Sequence, residues 1–406
     1  MDPKTSANQV LSTISEVLVS HYTDQQELPG LLSGYTGAAL FFAYYAQYTG
    51  EQRYQDFSFE LLERSITAMS EDAMILTHCT GISGICWTIQ HFINQGFADQ
   101  EGMEDIFEDV NEMLGAYMRE ELVQGQCDFL HQGLGAAVYF LERPVDEVST
   151  RYLTEAVQLL SASATEFADG ISWKDQFSKT SMQLSGDAVC YNLGLAHGMP
   201  AILMVLGLIY VKGIAREEAR RLLEGGVRWL LSTRNQEATA NQSLYPVIVD
   251  PEKKAYATNE SRLGWCYGDL GIGITLLNIG HWLHNDLYKS EGLGILQHIA
   301  AHRDAENGGI NDACLCHGSA GVSHIFRRAY RLTQDPVMLA AAERWLEEAL
   351  IANTHTDGAA GYKFFAATSY ENSYNLLEGI SGIGLAILAS QDTQQAPDWD
   401  RSLLIS

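Results

Sequence analysis

The chain has 406 residues, 46% of them hydrophobic and 19% charged, with 36 Gly and 8 Pro, a globular composition that is neither collagenous nor disordered. Its 25 Lys and Arg stand against 51 Asp and Glu, a formal charge of −26, which excludes nucleic acid and anionic membrane surfaces as favoured partners and favours neutral or cationic ones. No apolar run reaches the ~20 residues of a membrane span, the start Met1-Asp2-Pro3-Lys4 has no signal-peptide character, and seven cysteines, an odd number, read as reduced thiols or metal ligands in a cytoplasmic protein.

An amphipathic stretch at 8–22 predicts a first helix with one face in solvent. It runs into Gly34-Tyr35-Thr36-Gly37 and an apolar run, 38–48, which is hydrophobic nearly all round and so predicts a buried helix. The same pairing then returns six times. Amphipathic 57–69 leads to Gly81-Ile82-Ser83-Gly84 and apolar 85–93, and 107–122 leads to the degenerate Gln132-Gly133-Leu134-Gly135 and 136–141. Next, 150–167 leads to Gly198-Met199-Pro200-Ala201 and 201–211, and 216–235 to Gly268-Asp269-Leu270-Gly271 and 272–283. A weaker 285–303 leads to Gly318-Ser319-Ala320-Gly321 and 322–332, and 336–353 to Gly379-Ile380-Ser381-Gly382 and 383–388.

Repeats of about 50 to 70 residues, each with room for two helices, predict an all-α fold. The alternation of buried and half-buried helices implies an α/α toroid, a barrel of seven inner and seven outer helices, with an open solenoid as the alternative. No Pro/Ser-rich linker interrupts the series, so residues 1–406 read as a single domain. The glycines mark the start of each inner helix, where close backbone approach leaves no room for a Cβ. Two long non-helical stretches, 169–192 and 236–263, precede copies four and five, and loops of that length are commonly functional.

Chemistry concentrates at one register position. The residue before each cluster is Ser33, Thr80, His131, His197, Tyr267, His317 or Glu378, and the one before that is Leu32, Cys79, Leu130, Ala196, Cys266, Cys316 or Leu377. In a closed barrel these positions meet at one rim. Cys266, Cys316 and His317 then form a set of two thiolates and one imidazole with a fourth position open, which suits a catalytic zinc ion. Buried cysteines packing as small hydrophobes are the plainer reading. Cys314 lies too close to Cys316 in sequence to ligate easily with it. His78-Cys79, Cys86, Cys127 and Cys190 read as packing.

Asn192-Leu193-Gly194-Leu195-Ala196-His197-Gly198, Trp265-Cys266-Tyr267-Gly268 and Cys316-His317-Gly318 together resemble the signature motifs of the lanthionine synthetase C-like (LanC-like) family. Asp128-Phe129-Leu130-His131 is similar to that family's Asp-containing motif, and Arg262, four before Cys266, to its arginine. The resemblance spans all seven repeats. It implies the α/α toroid, one zinc ion held by Cys266, Cys316 and His317, and acid/base and substrate-positioning roles for His197, Asp128, Arg262 and Tyr267. Two departures stand out: Gln132 replaces a glycine near Asp128, and Asp269 adds negative charge expected near the metal.

The implied activity is a carbon–sulfur bond-forming cyclase, a lanthionine synthetase. A peptide Cys thiol, activated on zinc, adds to a dehydroalanine or dehydrobutyrine to close a (methyl)lanthionine thioether ring. Arg262 and protonated His197 would stabilise the enolate, and His197 would protonate the α-carbon, with Asp128 orienting it. The implied partner is a dehydrated precursor peptide, in lanthipeptide biosynthesis with a dehydratase and an exporter. Addition of glutathione or another soluble thiol to dehydroamino acids is one alternative, and a non-enzymatic precursor-binding scaffold for the dehydratase is another. A zinc-dependent prenyl transfer is disfavoured, since no Lys/Arg cluster at the repeat tops could hold a diphosphate.

Overall fold

Two kinds of helix alternate along the chain in a computed structural model that describes residues 3–24, 27–71, 74–99, 104–181, 187–256, 258–391 and 397–406. Outer α1 (Pro3–Asp24) is followed by inner α2 (Tyr35–Thr49), outer α3 (Gln52–Glu71), inner α4 (Ile82–Asn94), outer α5 (Glu104–Val123), inner α6 (Leu134–Glu142) and outer α7 (Glu147–Ser163). An antiparallel hairpin, β1 (Thr165–Phe167) with β2 (Gly170–Ser172), a short helix α8 (Gln176–Ser181) and strand β3 (Tyr191–Asn192) precede inner α9 (Met199–Val211). Outer α10 (Arg216–Ser232) leads to β4 (Ile248–Val249), which pairs with β3, and then to inner α11 (Asp269–Trp282). The last stretch holds outer α12 (Asp286–His302), one turn α13 (Ala305–Gly308), inner α14 (Ser319–Thr333) and outer α15 (Pro336–Ile351). The hairpin β5 (Phe364–Phe365)/β6 (Tyr370–Glu371), inner α16 (Ile380–Gln391) and a 3-10 helix, Asp398–Leu403, complete it. No helix among the described residues is long and apolar enough to cross a membrane.

The expected fourth outer helix, 150–167, is corrected at its end. It stops at Ser163, and Thr165–Phe167 is strand, because the β-branched and aromatic residues around the Ala168-Asp169 turn pair with 170–172 and pack on α10. The expected long loops hold α8, β3 and β4, with residues 182–186 and 257 outside the described residues.

The inner helices pack side by side in repeat order, α2 on α4, α4 on α6, α6 on α9, α9 on α11, α11 on α14, α14 on α16, and α16 back on α2. The barrel is therefore closed. Three successive residues ahead of each inner helix build three layers around its axis. The residues three before each cluster (Leu31, His78, Phe129, Leu195, Trp265, Leu315 and Leu376) are all buried inside the barrel. Those two before it link the repeats by backbone hydrogen bonds: Leu32 N to Cys79 O (2.9 Å), Cys79 N to Leu130 O (2.9 Å), Ala196 N to Cys266 O (3.1 Å), Cys266 N to Cys316 O (3.3 Å), Cys316 N to Leu377 O (3.0 Å) and Leu377 N to Leu32 O (2.9 Å). Those one before it form the upper layer at the rim, partly exposed except for the buried His317.

The second small residue of each cluster answers to this ring. A Cβ at Gly382 would sit 1.9 Å from Leu376 O, and one at Gly84 2.1 Å from His78 O, so the inner-helix start lies directly against the preceding strand of backbone. Beneath the ring the axis is filled by the chain itself. His78 Nε2 donates to Ser402 O (2.9 Å), Trp265 Nε1 to Leu403 O (2.9 Å) and Asn278 Nδ2 to Ile405 O (3.0 Å). Trp399, Asp400, Leu403, Leu404 and Ile405 are buried there. Asp400 accepts from His324 Nε2 at 2.6 Å and from Arg328, and although burial alone would raise its carboxyl, Arg328 and His324 hold it well below the usual range. The rim thus has a solid floor.

Candidate functional site

The turns before α11 and α14 lie against each other, Trp265 N donating to Cys316 O at 2.9 Å. That contact brings Cys266, Cys316 and His317 together, with one donor atom from each within 4.8 Å of the others. Gly268 has φ +95°, a conformation open to glycine and strained for other residues, which lets the chain turn from Cys266 and Tyr267 straight into α11.

The three groups shift one another's protonation strongly. A hydrogen bond from Cys316 holds the Cys266 thiol well below its usual range against the opposing effect of burial, helped by His317 and Arg262. The same pairing with Cys266, together with burial, pushes Cys316 well above it. Burial alone would depress His317, but Asp312, Cys266 and Cys314 overrule it and push the imidazole up to about 12. His317 Nε2 is buried with no hydrogen-bond partner, and Asp312 Oδ2 lies 3.4 Å from it, too long for a well-formed bond. Two sulfurs and an imidazole with an unsatisfied ring nitrogen fit a thiophilic divalent cation such as zinc.

A second trio, Asp312, Cys314 and His317, is equally close, so Cys314 does come near the site. Asp312 and Cys314 are already engaged, however. Asp312 Oδ1 accepts from Cys314 N (2.9 Å), Asp312 Oδ2 from Phe365 N (2.8 Å), and Cys314 Sγ from His317 N (3.5 Å). Burial holds the Cys314 thiol up at about 12. This second group braces the turn behind His317.

Across the same rim, the ring of backbone bonds changes character between repeats three and four. There Leu130 N donates to Asp128 Oδ1 (2.9 Å), as does His131 N (2.7 Å), while Asp128 Oδ2 binds His197 Nδ1 at 2.6 Å. One carboxylate therefore caps its own turn with one oxygen and holds the histidine of the next repeat with the other. Gln132, where other copies have glycine, supports it: Gln132 Oε1 accepts from Asp128 N (3.1 Å). Asp128 is buried, and the His197 side chain is 14% exposed. Burial disfavours the charged imidazole, yet Asp128, with smaller help from Cys266 and Asp175, raises the His197 pKa above its ordinary value.

Tyr267 is half-buried with its ring 5.7 Å from that of His197, and burial raises its phenol, which stays protonated at neutral pH. Arg262 is exposed, forms no ion pair with a described residue, and its charge is felt at Cys266 and Glu378. Glu378 completes the rim, raised by burial. Asp269 overturns the expectation that it charges the metal's surroundings. It is buried, 2% exposed, and turned away to accept from Leu244 N (2.7 Å) and Tyr245 N (3.0 Å), with Arg303 3.9 Å off. It anchors the 236–263 stretch instead.

Three neighbours carry no role in the motif reading. Asp312 braces His317. Phe177 of α8 stacks on His197 (4.8 Å between ring centres) and on His131 (5.0 Å), and Asp175 lines the small pocket beside Asp128, Asn192 and His197. The signal for the latter two was the length of the 169–192 stretch; their positions needed the fold.

The family model of lanthionine synthetase C-like proteins matches residues 26–404. The chain is 23% identical over 342 residues to the nisin biosynthesis protein NisC of Lactococcus lactis subsp. lactis, covering 80% of this chain and 76% of that protein. The solved structure of a nisin cyclase shares its fold, with a TM-score of 0.75 at 19% identity over 99% of this chain and 97% of that one.

Proposed function

Because the chain belongs to the lanthionine synthetase C-like family, we propose that it is a zinc-dependent lanthipeptide cyclase that closes thioether rings in a dehydrated precursor peptide. The observation that carries this reading is the meeting of Cys266, Cys316 and His317, from two repeats, on the rim that also bears the Asp128–His197 pair. The reading takes residues 1–406 as one working domain, cytoplasmic, with a dehydratase and an exporter as further partners. The acidic surface, −26 overall, favours a neutral or basic peptide.

Zinc held by Cys266, Cys316 and His317 supplies, when bound, a fourth coordination position that favours the deprotonated form of a peptide thiol. In the net reaction the thiol S–H is lost, a bond forms between sulfur and the β-carbon of the dehydro residue, and a proton is added at its α-carbon. His197 holds that proton. Its Nδ1–H is fixed on Asp128, which leaves Nε2–H as the donor and sets the ring's orientation. As negative charge grows on the substrate carbonyl, the Arg262 guanidinium and the Tyr267 hydroxyl are the donors available to meet it. Phe177 and Tyr267, on the ring of His197, limit access of water to the station.

The test is metal analysis of the wild type and Cys316→Ala, followed by incubation with a dehydrated, Cys-containing peptide with and without glutathione. About one zinc per chain in the wild type and little in the variant is expected. Cyclisation leaves the peptide mass unchanged while removing an alkylatable thiol. A mass increase equal to glutathione would instead mark a soluble-thiol transferase. Tight zinc without either product, unaffected by His197→Ala, would mark a scaffold.

A further inference from the structure

We propose that Phe177 and Asp175, carried by the segment inserted between repeats three and four, are positioning residues of the His197 proton station. The proposal rests on the reading in which His197 is the acid. In the inner-helix turns the rim is built from equivalent register positions, but α8 and the turn before it belong to no repeat. The segment nevertheless docks on the turn that carries His197. Asp175 N donates to Cys190 O (2.8 Å), Cys190 Sγ to Asp175 O (3.3 Å), and Asn192 Nδ2 to Ser178 Oγ (2.8 Å), while Ser178 N donates to Asp175 Oδ1 (3.0 Å). Asn192 in turn accepts from Gly194 N at 2.7 Å, three residues before His197.

That anchoring lays the Phe177 ring nearly parallel to His197, at 16° and 4.8 Å between centres, and to His131, at 19° and 5.0 Å. His131 and His197 are themselves 14° from parallel and 5.7 Å apart. The imidazole is thus held at its edge by Asp128 and on its face by a phenyl ring. Asp175 Oδ2 is buried and has no hydrogen-bond partner, in a pocket whose other polar walls include Asp128, Asn192 and His197. A buried carboxylate oxygen left unpaired is costly, and burial raises the Asp175 carboxyl in the pocket it shares with His197. The groups facing His197 are Asp128 and His131 from the turn before α6, Asp175 from the inserted segment, and Cys266 and Tyr267 from the turn before α11. Among them Asp175 is the acidic group that the inserted segment contributes; burial raises its carboxyl above the usual range, and its charge acts on His197 from a position the repeats do not supply.

The test reads His197 directly by NMR titration of its ring protons in the full-length protein, with no substrate present, so it does not depend on whether the wild type cyclises a peptide. Asp175→Asn is expected to shift the His197 midpoint down, because a negative neighbour is lost. Phe177→Ala is expected to shift it up, because burial is the largest influence opposing the charge and water then reaches the ring. In the cyclisation assay Phe177→Ala should lower kcat roughly ten- to a hundredfold with KM little changed, the loss expected for a misaligned acid, and Phe177→Tyr should restore it. If Phe177→Ala does not fold, Phe177→Leu carries the same readout. A His197 titration that is identical in wild type, Asp175→Asn and the Phe177 variants, with native melting curves, would overturn the proposal.

Discussion

Replacing Asp128 with Asn separates the two tasks that its carboxylate performs. Asn keeps an oxygen where Oδ1 accepts from Leu130 N and His131 N, so the turn survives. It puts an amide N–H₂ where Oδ2 met His197 Nδ1 at 2.6 Å. Two donors then face each other, and the imidazole must present a bare Nδ1 to the amide, which favours the neutral tautomer. A charge-assisted hydrogen bond of this kind is worth about 1.5–3 kcal/mol, and with Asp128 buried little of it is screened by solvent. That corresponds to roughly a 10- to 150-fold fall in the ratio of protonated to neutral His197 at fixed pH and, above the wild-type pKa, to a comparable fall in single-turnover cyclisation if this proton is transferred in the slow step. Zinc content should not change. The alkaline limb of the pH–rate profile should move to lower pH, since the wild-type His197 pKa is raised and the variant lacks the main group that raises it.

The same shift has a stability signature. A histidine whose folded pKa is raised contributes stability that is fully present below the unfolded value of about 6.5 and is lost as pH rises through the folded value. The melting temperatures of wild type and Asp128→Asn should therefore differ most in mild acid and converge in base. Asp128→Ala, which also removes the cap of the turn, should be less stable than Asn at every pH. An Asn variant that cyclises at the wild-type rate, with an unmoved pH limb, would refute the assignment of His197 as an acid held by Asp128.

The glycines offer a paired test by thermal melts. Gly382→Ala forces a Cβ to 1.9 Å from Leu376 O and should destabilise by several kcal/mol or prevent folding, whereas Gly294→Ala, in the middle of α12 with nothing within 4 Å, should stabilise by about 0.5–1 kcal/mol. Equal effects at the two sites would refute the close-approach account. The axial filling carries an acid-sensitive contribution to stability. Asp400 is depressed, so its contribution is present above the unfolded carboxylate value of about 4 and is lost as pH falls below it. Asp400→Asn, which leaves Arg328 buried without its charge partner, should lose about 3–5 kcal/mol at neutral pH and be less acid-sensitive than the wild type in denaturant titrations.

The repeat, the alternation of inner and outer helices and the register of the rim were legible in the chain itself, because a helix buried all round must be apolar all round and a backbone contact that admits no Cβ must recur as glycine or alanine. The meeting of Cys266, Cys316 and His317 was legible for the same reason: equivalent positions in adjoining repeats become neighbours once a ring closes. Other features depended on pairs of residues whose proximity no spacing encodes. The family resemblance implied Asp128 beside His197, but only the folded ring turns Asp269 inward to hold Leu244 and Tyr245, lays Phe177 over an imidazole twenty residues away, and sends the 397–406 segment down the axis to meet Trp265 and His78. Periodicity reports which face of an element is buried; which groups share a buried space is decided by how the inserted segments pack on the ring.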